Sequence, residues 1–274
     1  IKNPIQMLEH WENIFPDQVY LRQSSGDGWV EYTWKSVANK VRTLATYILS
    51  KEYTPGSNIA IWATNSVDWI ITDLAIMLSG HVSVPLYPAQ DLKTAQYILS
   101  HSEPKLAFLG QFNHSSCVDT IFPEHVETIG IHGCTVNTDR SITEIIHSTS
   151  PLKKFNEIDL DNVATIIYSS GTSGSPKGVM LTFRAISQTQ GIIQEGYKRR
   201  LCAKPGDKRE HVISYLPMSH AAERSMVLIA SLYLNSCISI SAGLEFFSQE
   251  MRDVRPTFFG AVPRIWYKFM QGIE

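Results

Sequence analysis

Cysteine is scarce in this sequence, and so is an excess of charge of one sign. The 274 residues include four cysteines, none in a C-x-x-C pair, which excludes a small disulfide-stapled fold and is typical of a reducing, cytoplasmic compartment. The formal net charge is only −2, and the basic residues are scattered, so no nucleic-acid partner is expected. Hydrophobic residues make up 43% and charged residues 18%, a balance typical of a globular chain rather than a disordered one.

Long uninterrupted apolar runs are missing as well. The first residues carry charge and proline where an export signal needs an apolar core. The uncharged stretch from Ser225 to Leu244 approaches the roughly 20 residues that cross a bilayer, but Asn235 and several serines interrupt it. Its pattern predicts a buried helix followed by a strand. Because the sequence begins without methionine and stops within an apparent helix, we expect it to be part of a longer polypeptide.

Strand and helix patterns alternate from Asn58 onward. The strand-like NIAIWA precedes a helix that Asn65 is expected to cap and Gly80 to end, and VSVPLY is the next strand. A second helix from Asp91 precedes the apolar runs KLAFLG and ETIGIH. This alternation predicts an α/β fold with a mostly parallel sheet.

A polar stretch over 137–162 predicts a surface connection between two subdomains. We expect a first α/β subdomain over about 56–160 and a second over about 161–274 together with 1–55. The second would contain the strands VATIIY and GVMLT, a long helix from about Arg184 and the strand HVISYL.

The run SSGTSGSPKG, between the first two of those strands, is rich in glycine and hydroxyl side chains and contains Lys177. A Walker phosphate loop needs a glycine where Pro176 stands, and a dinucleotide fingerprint needs a spacing that Gly171, Gly174 and Gly178 do not have. Glycine-freed backbone amides, hydroxyls and a lysine nevertheless favour phosphate binding. The alternative is an ordinary glycine and serine hairpin, although a tight turn needs only one or two such residues.

The longer run YSSGTSGSPKGV resembles the signature loop of the adenylate-forming superfamily, which includes acyl-CoA synthetases, luciferases and adenylation domains of peptide synthetases. The resemblance implies the large N-terminal domain of such a synthetase, with layered, mostly parallel β-sheets and flanking helices in two intertwined subdomains. It also implies ATP held by its β and γ phosphates, with Thr172 contacting both phosphate and Mg²⁺ and Lys177 facing the departing pyrophosphate. The implied nucleotide-binding residues are Ser169, Ser170, Gly171, Thr172, Ser173, Gly174 and Lys177.

Two further stretches resemble the long-chain fatty acid CoA ligase branch. ISYLPMSHAAER is similar to the segment LPLAHxxER, and His220 falls on its histidine, which lies beside the carboxylate in relatives. A helix cap is the alternative interpretation of His220. RPTFFGAVPRIW is similar to a strand and helix that line the acyl tunnel, which implies substrate contacts at Gly260, Ala261 and Pro263. A tight turn between strand and helix would explain Gly260 and Pro263 without a ligand.

The implied activity is ATP-dependent activation of a long-chain fatty acid to acyl-AMP, followed by thioester formation with CoA. Thr172, Lys177 and His220 are the implied catalytic residues, and fatty acid, ATP and CoA are the small-molecule substrates. Peripheral contact with a membrane stays open, because long-chain acids partition into bilayers. The alternatives are transfer of the acyl group to a carrier protein and a non-catalytic scaffold that retains the fold.

Some expected motifs of the family are absent from the sequence. The family's YGxTE motif, its ribose-binding aspartate and its lysine-bearing C-terminal domain are missing, so we expect this segment to be inactive alone. The adjacent charges of Glu223 and Arg224 are interpreted as a solvated face or a local ion pair. Five potential metal ligands lie close together but match no zinc spacing, which favours chance clustering. They are His114, Cys117, His125, His132 and Cys134.

Overall fold

Two β-sheets with flanking helices form the protein, in a computed structural model. It describes residues 2–25, 28–113, 121–155, 157–169, 176–201 and 209–261, together with Pro263, Trp266, Tyr267 and Met270, and only the backbone over 196–201. One sheet has seven strands and the other four. The largest apolar cluster contains side chains from both sheets, among them Tyr20, which stacks on Trp34 with ring centroids 3.6 Å apart. The predicted α/β fold is confirmed.

The four-stranded sheet joins the two ends of the described chain. Its strands are β1 (Val19–Ser24), β2 (Trp29–Thr33), β10 (His211–Ser214) and β11 (Cys237–Ile240). They lie in the order β10-β11-β1-β2, parallel except for the β1–β2 pair. Leu21 is paired with Ile238 across the β1–β11 ladder. The segment before the first βαβ unit therefore packs with the last part of the chain.

The seven-stranded sheet is parallel apart from its last pair. Its strands are β3 (Asn58–Trp62), β4 (Val82–Leu86), β5 (Leu106–Leu109), β6 (Glu127–Gly130), β7 (Arg140–Ser141), β8 (Val163–Ser169) and β9 (Lys177–Thr182). They lie in the order β7-β6-β5-β3-β4-β8-β9, and β9 runs antiparallel to β8. Strands β4 and β5 are buried along their whole length, which is why their sequences are apolar on both faces.

Helices cover these sheets. They are α1 (Pro4–Ile14), α2 (Trp34–Leu49), α3 (Val67–Leu78), α4 (Leu92–Ser102), α5 (Ile142–Ser148), α6 (Phe183–Leu201), α7 and α8 (Phe247–Val254). Helix α7 consists of three consecutive segments, Ala221–Glu223, the π-helical Arg224–Ile229, and Ala230–Leu234. The predicted buried helix and strand between Ser225 and Leu244 are therefore confirmed as the greater part of α7 followed by β11.

The cap of α3 differs from the prediction. Ser66, not Asn65, is the N-cap, and its hydroxyl accepts the Trp69 N–H at 3.0 Å. Asn65 uses its side chain elsewhere, as described below. The helix ends before Gly80, which has φ +75°, a left-handed conformation that glycine adopts without a Cβ penalty.

The polar stretch 137–162 contains more structure than predicted. It includes β7 and α5, and α5 begins with a capping box in which Ser141 and Glu144 each accept the other's backbone N–H. That S-x-x-E signature is visible in the sequence. Strands β8 and β9, which the prediction assigned to the second subdomain, continue the sheet of the first, because β8 pairs with β4 and β9 pairs with β8. The subdomain bounds themselves stay a prediction.

None of the helices in the described ranges is both long and apolar enough to cross a bilayer.

Candidate active site

The two strands that flank the glycine-rich loop form an antiparallel pair with a defined register. Ser169 is paired with Lys177, and Tyr168 with Gly178. Ser169 and Lys177 are both exposed, so the serine hydroxyl and the lysine ammonium stand at the base of the loop. The other predicted loop residues lie outside the described part of the chain. They are Ser170, Gly171, Thr172, Ser173 and Gly174.

Close packing explains the glycine beside Lys177. A Cβ added at Gly178 would lie 2.7 Å from Cγ2 of Ile166 and 3.1 Å from the Tyr168 ring, closer than real side chains approach one another. The Tyr168 hydroxyl lies 2.7 Å from Nδ1 of His101 on α4, and burial raises the pKa of this phenol. Ile166, Tyr168 and His101 thus fix the hairpin at its base, and sequence patterns alone did not predict these contacts.

His220 lies at the N-terminus of α7. Its Nδ1 accepts the N–H of Ala222 at 3.1 Å, so in the neutral ring the proton is on Nε2. The ring is exposed and approaches Tyr87 edge-on, with centroids 6.2 Å apart. Tyr87 directly follows β4, the strand next to β8. The capping interpretation is confirmed, and the role of His220 toward a substrate stays a prediction.

Glu223 is buried, which corrects the prediction of a solvated face. It is 3% exposed, and its Oε1 accepts the Ser214 hydroxyl at 2.7 Å and the Tyr215 N–H at 3.2 Å. Burial raises the pKa of this carboxyl to about 7, against a smaller lowering by the Ser214 and Tyr215 hydrogen bonds. Nothing in the sequence indicated that Glu223 is buried, because its hydrogen-bond partners are not apparent from the local pattern of a first helical turn.

Arg224 forms a buried ion pair across the molecule, which corrects the prediction of a local one. Its guanidinium pairs with Asp73 of α3 and donates to Oγ1 of Thr165 at 2.6 Å. Its Cζ lies 5.7 Å from the centroid of the Trp69 ring. Arg224 begins the π-helical part of α7, and α3 and Thr165 belong to the other sheet layer. The pair therefore ties α7 to the seven-stranded sheet.

Asn65 is a site residue that the sequence reasoning missed. Its Nδ2 donates to the Leu216 carbonyl at 2.6 Å and to Oγ of Ser214 at 3.0 Å, and its Oδ1 accepts the Met218 N–H at 2.8 Å. Asn and Ser are both good caps, so the local pattern did not distinguish Asn65 from Ser66.

The segment 255–261 lacks the strand that the resemblance implied. It is irregular, and Thr257 makes one backbone hydrogen bond to β10, donating to the His211 carbonyl at 2.9 Å. The Tyr215 hydroxyl donates to the Gly260 carbonyl at 3.1 Å. Among the described residues, a Cβ at Gly260 would meet only Phe258, at 4.0 Å, so close packing within that part of the chain does not require this glycine.

Ala261 and Pro263 lie beyond that irregular segment. The Ala261 carbonyl accepts the indole N–H of Trp266 at 3.2 Å. Pro263 is helical and exposed, which agrees with a first-turn position. Their predicted contact with substrate stays a prediction.

A mostly apolar cavity of about 370 Å³ lies between α6, α7 and the edge of the four-stranded sheet. This volume is within the range of small-molecule sites. The apolar side chains that line it are Ile193, Val212, Met226, Val227, Ala230, Leu234 and Phe258. His220 caps the helix whose later turns line this cavity.

No group of three or more potential ligands that could hold a metal ion occurs among the described residues. Of the five clustered candidates in the sequence, His114 and Cys117 lie outside that part, as does Thr172, the implied contact of Mg²⁺. The implied magnesium contact is thus an open prediction.

Comparison with known proteins places these features in a family. The sequence model of the family described as AMP-binding enzyme matches residues 8–274. The long-chain fatty-acid–CoA ligase FadD15 of Mycobacterium bovis is 25% identical over 279 residues, covering 99% of this chain and 45% of that protein. The long chain acyl-CoA synthetase 2 of Arabidopsis thaliana is 27% identical, covering 100% of this chain and 44% of its own length. The chain therefore spans less than half the length of these curated relatives.

A solved structure agrees with the fold. The N-terminal domain of FACL13 from Mycobacterium tuberculosis, in an inhibitor-bound crystal structure, superposes with a TM-score of 0.77 at 22% identity. The match covers 97% of this chain and 64% of that one. At this identity the likeness concerns the fold, and it confirms the layered, mostly parallel architecture.

Proposed function

Because the chain belongs to the AMP-binding enzyme family, we propose that the complete polypeptide carrying it is an ATP-dependent long-chain fatty acid CoA ligase. In the first step an oxygen of the fatty carboxylate attacks the α-phosphorus of ATP. The bond from that phosphorus to the bridging oxygen breaks, and acyl-AMP and pyrophosphate form. In the second step the CoA thiol loses its proton to water, its sulfur attacks the acyl carbon, and the bond from that carbon to the AMP oxygen breaks, so that AMP leaves as the thioester forms.

The observation that carries the proposal is the register of β8 and β9. It holds Lys177 opposite Ser169 at the base of the glycine-rich loop, where an exposed ammonium can neutralise charge that grows on departing phosphate oxygens. Lys177 has no carboxylate partner in the described ranges, so its charge is available to a ligand. Mg²⁺, when bound, would supply further charge neutralisation on the phosphates, with Thr172 as its implied contact.

His220 would act on the carboxylate in this scheme. With Nδ1 occupied by the Ala222 N–H and no hydrogen-bond partner of Nε2–H among the described residues, the Nε2–H can donate to a carboxylate oxygen and orient it for attack. The edge-on Tyr87 ring limits the directions that the imidazole can adopt.

The apolar lining of the cavity beside α7 is suited to an apolar acyl group. Each methylene buried there would contribute about 0.8 kcal/mol, so the depth of the cavity would select chain length. Met226, which is 51% exposed and lines the cavity, gives a test. We expect Met226→Trp to fill the cavity and move the preferred acid to a shorter chain.

The decisive experiment is carboxylate-dependent exchange of labelled pyrophosphate into ATP, measured on the complete polypeptide with acids from acetate to palmitate. We expect exchange to be fastest with the long acids. Lys177→Ala should slow exchange by about 100-fold or more and change acid binding much less. Lys93→Ala, at an exposed lysine of α4, is the matched control and should exchange like the parent protein. No exchange with any acid, or equal rates for Lys177→Ala and the parent, would contradict the proposal.

The acceptor is tested separately. With acid and ATP present, we expect free CoA to be consumed and acyl-CoA to appear in equal amount. Exchange without CoA consumption, together with acylation of a phosphopantetheinyl carrier protein, would favour the carrier-protein alternative. The absence of both exchange and transfer would favour the scaffold.

A further inference from the structure

Two side chains from different parts of the fold hold the segment that connects β10 to α7. Asn65 directs its whole amide group at this segment, with both Nδ2 contacts on Ser214 and Leu216 and its Oδ1 on the Met218 N–H. Asn65 lies between β3 and α3, in the layer of the seven-stranded sheet. The segment belongs to the layer of the other sheet, so these bonds cross between the layers.

Glu223 holds the same segment at its beginning. Its Oε1 accepts from the Ser214 hydroxyl and from the Tyr215 N–H. Ser214 is fully buried and links the two, because its hydroxyl donates to Glu223 and accepts from Asn65. Buried polar networks in which each member is satisfied are rigid and specify one arrangement.

The nearby charged groups do not compete for Glu223. Arg224, the next residue, directs its guanidinium at Asp73 and Thr165. The Tyr215 hydroxyl donates to the Gly260 carbonyl, and His220 bonds to Ala222 through Nδ1. Burial raises the pKa of Glu223 to about 7, so near neutral pH a large share of the molecules carry this carboxyl in its neutral, protonated form. Glutamine, which is also neutral, is a fair replacement for that form.

The direction of His220 depends on this segment. The His220 N–H donates to the Pro217 carbonyl at 2.8 Å, and Pro217 lies between Leu216 and Met218, the two residues that Asn65 holds. The imidazole then caps α7 and leaves Nε2–H free. Movement of 214–218 would therefore move the imidazole.

We infer that Asn65 and Glu223 are positioning residues for His220, acting together through Ser214 to fix the 214–220 segment. The inference deepens the proposed function and rests on it for the role of His220. Neither residue touches the reacting atoms. Each acts by holding the backbone that presents the imidazole, and a misplacement of about 1 Å can cost about 100-fold in rate.

Glu250 provides a matched control. It is also buried, at 5% exposure, and its carboxylate accepts the Ser241 hydroxyl and the Ala242 N–H. Its bonds hold the turn after β11, which carries no predicted site residue. Glu250→Ala thus removes a similar buried carboxylate and a similar pair of hydrogen bonds, none of which Glu250 makes to the 214–220 segment itself; the turn that it holds meets that segment through the Ser241 N–H, which donates to the Ser214 carbonyl at 3.0 Å.

The experiment compares Asn65→Ala, Glu223→Ala and Glu250→Ala in the complete polypeptide, with two readouts. The first is pyrophosphate exchange, analysed as kcat and as KM for the acid. The second, which needs no activity, is deuterium uptake by the backbone amides of Tyr215, Met218 and His220. We expect Asn65→Ala and Glu223→Ala to lower kcat by about 10- to 100-fold and to speed deuterium uptake at these amides, while Glu250→Ala does neither.

Two conservative variants separate positioning from folding. Glu223→Gln keeps an oxygen that accepts from Ser214 and Tyr215, so it should restore kcat to within about twofold of the parent. Asn65→Asp keeps the acceptor for Met218 but loses both donors, so it should lower kcat and speed deuterium uptake as expected for Asn65→Ala, and it supplies this test if the alanine variant does not fold.

The outcomes distinguish this inference from the proposed function. An active parent whose Asn65 and Glu223 variants resemble Glu250→Ala in both readouts would overturn the positioning roles. A parent that exchanges pyrophosphate with no acid would overturn the proposed function and the catalytic meaning of the positioning. The deuterium data would then still decide whether Asn65 and Glu223 hold the segment.

Discussion

Glu223 and Glu250 lie on the helices that follow two neighbouring parallel strands, β10 and β11, and their carboxylates are bonded in the same way. Each is buried on the helix that follows its strand, and each accepts a serine hydroxyl and a backbone N–H from the turn between strand and helix. They differ in how deeply the serine is buried and in the further hydrogen bonds of its hydroxyl. Ser214 is fully buried and is held by Asn65 from the other sheet layer, whereas Ser241 is half-buried and its hydroxyl also contacts Gly243 of its own turn.

The comparison shows that the same local arrangement of hydrogen bonds, around a buried glutamate, can serve two purposes. Around Glu250 the carboxylate's hydrogen bonds close a turn of nearby residues, and that turn is linked to β10 by a backbone bond from the Ser241 N–H to the Ser214 carbonyl. Around Glu223 the same bonds continue through Asn65, and the next residue, Arg224, pairs with Asp73. The end of β10 is therefore tied to both sheets, and this is the region that carries His220.

The largest effect should come from the buried ion pair beside Glu223. We expect Asp73→Ala to lower the free energy of unfolding by about 3–5 kcal/mol, because it leaves the Arg224 guanidinium buried without its carboxylate. Arg252→Ala, at an exposed position on the helix that carries Glu250, is the control. It should change the free energy of unfolding by less than about 0.5 kcal/mol. Urea denaturation of the complete polypeptide measures both. A loss for Asp73→Ala as small as that of the control would contradict the importance of the link.

The second effect concerns the pH dependence of stability at Glu223. Its folded pKa of about 7 lies above the ordinary 4.5, so the folded state binds the proton more tightly than the unfolded state. Stability from this group is therefore fully present below about pH 4.5 and is lost as pH rises to about 7, a fall of about 3 kcal/mol. Glu223→Gln should remove this fall. Urea denaturation at a series of pH values tests the sign, and an unchanged slope in the variant would contradict it.

A third test compares the two serines. Ser214→Ala should cost about 2 kcal/mol of unfolding free energy, because Asn65 and Glu223 each lose one hydrogen-bond partner in a buried place. Ser241→Ala should cost about 1 kcal/mol or less, since water reaches that turn. Thermal unfolding of the two variants side by side gives the difference. Equal losses would mean that the connection through Asn65 adds nothing to the local bonds.

The smallest expected effect separates Asn65 from the helix cap beside it. Ser66→Ala should cost about 1 kcal/mol of stability through the lost cap of α3, and it should leave deuterium uptake at Met218 unchanged. Faster uptake at Met218 in Ser66→Ala would show that the cap, and not Asn65 alone, holds the segment. Urea denaturation and deuterium exchange on the same sample measure the two quantities.

Sequence reasoning reached the parts of the fold that local patterns determine. The strands and helices of the βαβ units were predicted because their apolar runs and terminal residues such as Gly80 and Asp91 act within a few positions. It missed α5, although the Ser141 and Glu144 capping box was present, because the surrounding composition is polar. The strand implied at 255–261 does not form, and Thr257 instead makes one backbone hydrogen bond to β10.

The candidate site was predicted less completely, for a physical reason. The position of Lys177 follows from a hairpin, which is local, and its pairing with Ser169 agrees with the predicted arrangement of strand, loop and strand. Asn65, Asp73 and Arg224 acquire their partners only when the two sheets pack together. A local pattern therefore suggests a cap for Asn65 and a surface charge for Arg224, and both suggestions are wrong.

The pairing of β1 with β11 sets an order of events during synthesis on the ribosome. The strands of the βαβ units find their neighbours soon after they emerge, because the connecting helices are short. β1 emerges early, but its partner β11 is synthesised only near the end of the described chain. Leu21 therefore cannot pair with Ile238 until then. Until then one edge of the early β1–β2 hairpin is unpaired, a known route to aggregation. This nascent hairpin is therefore a part of the chain that would benefit from a chaperone.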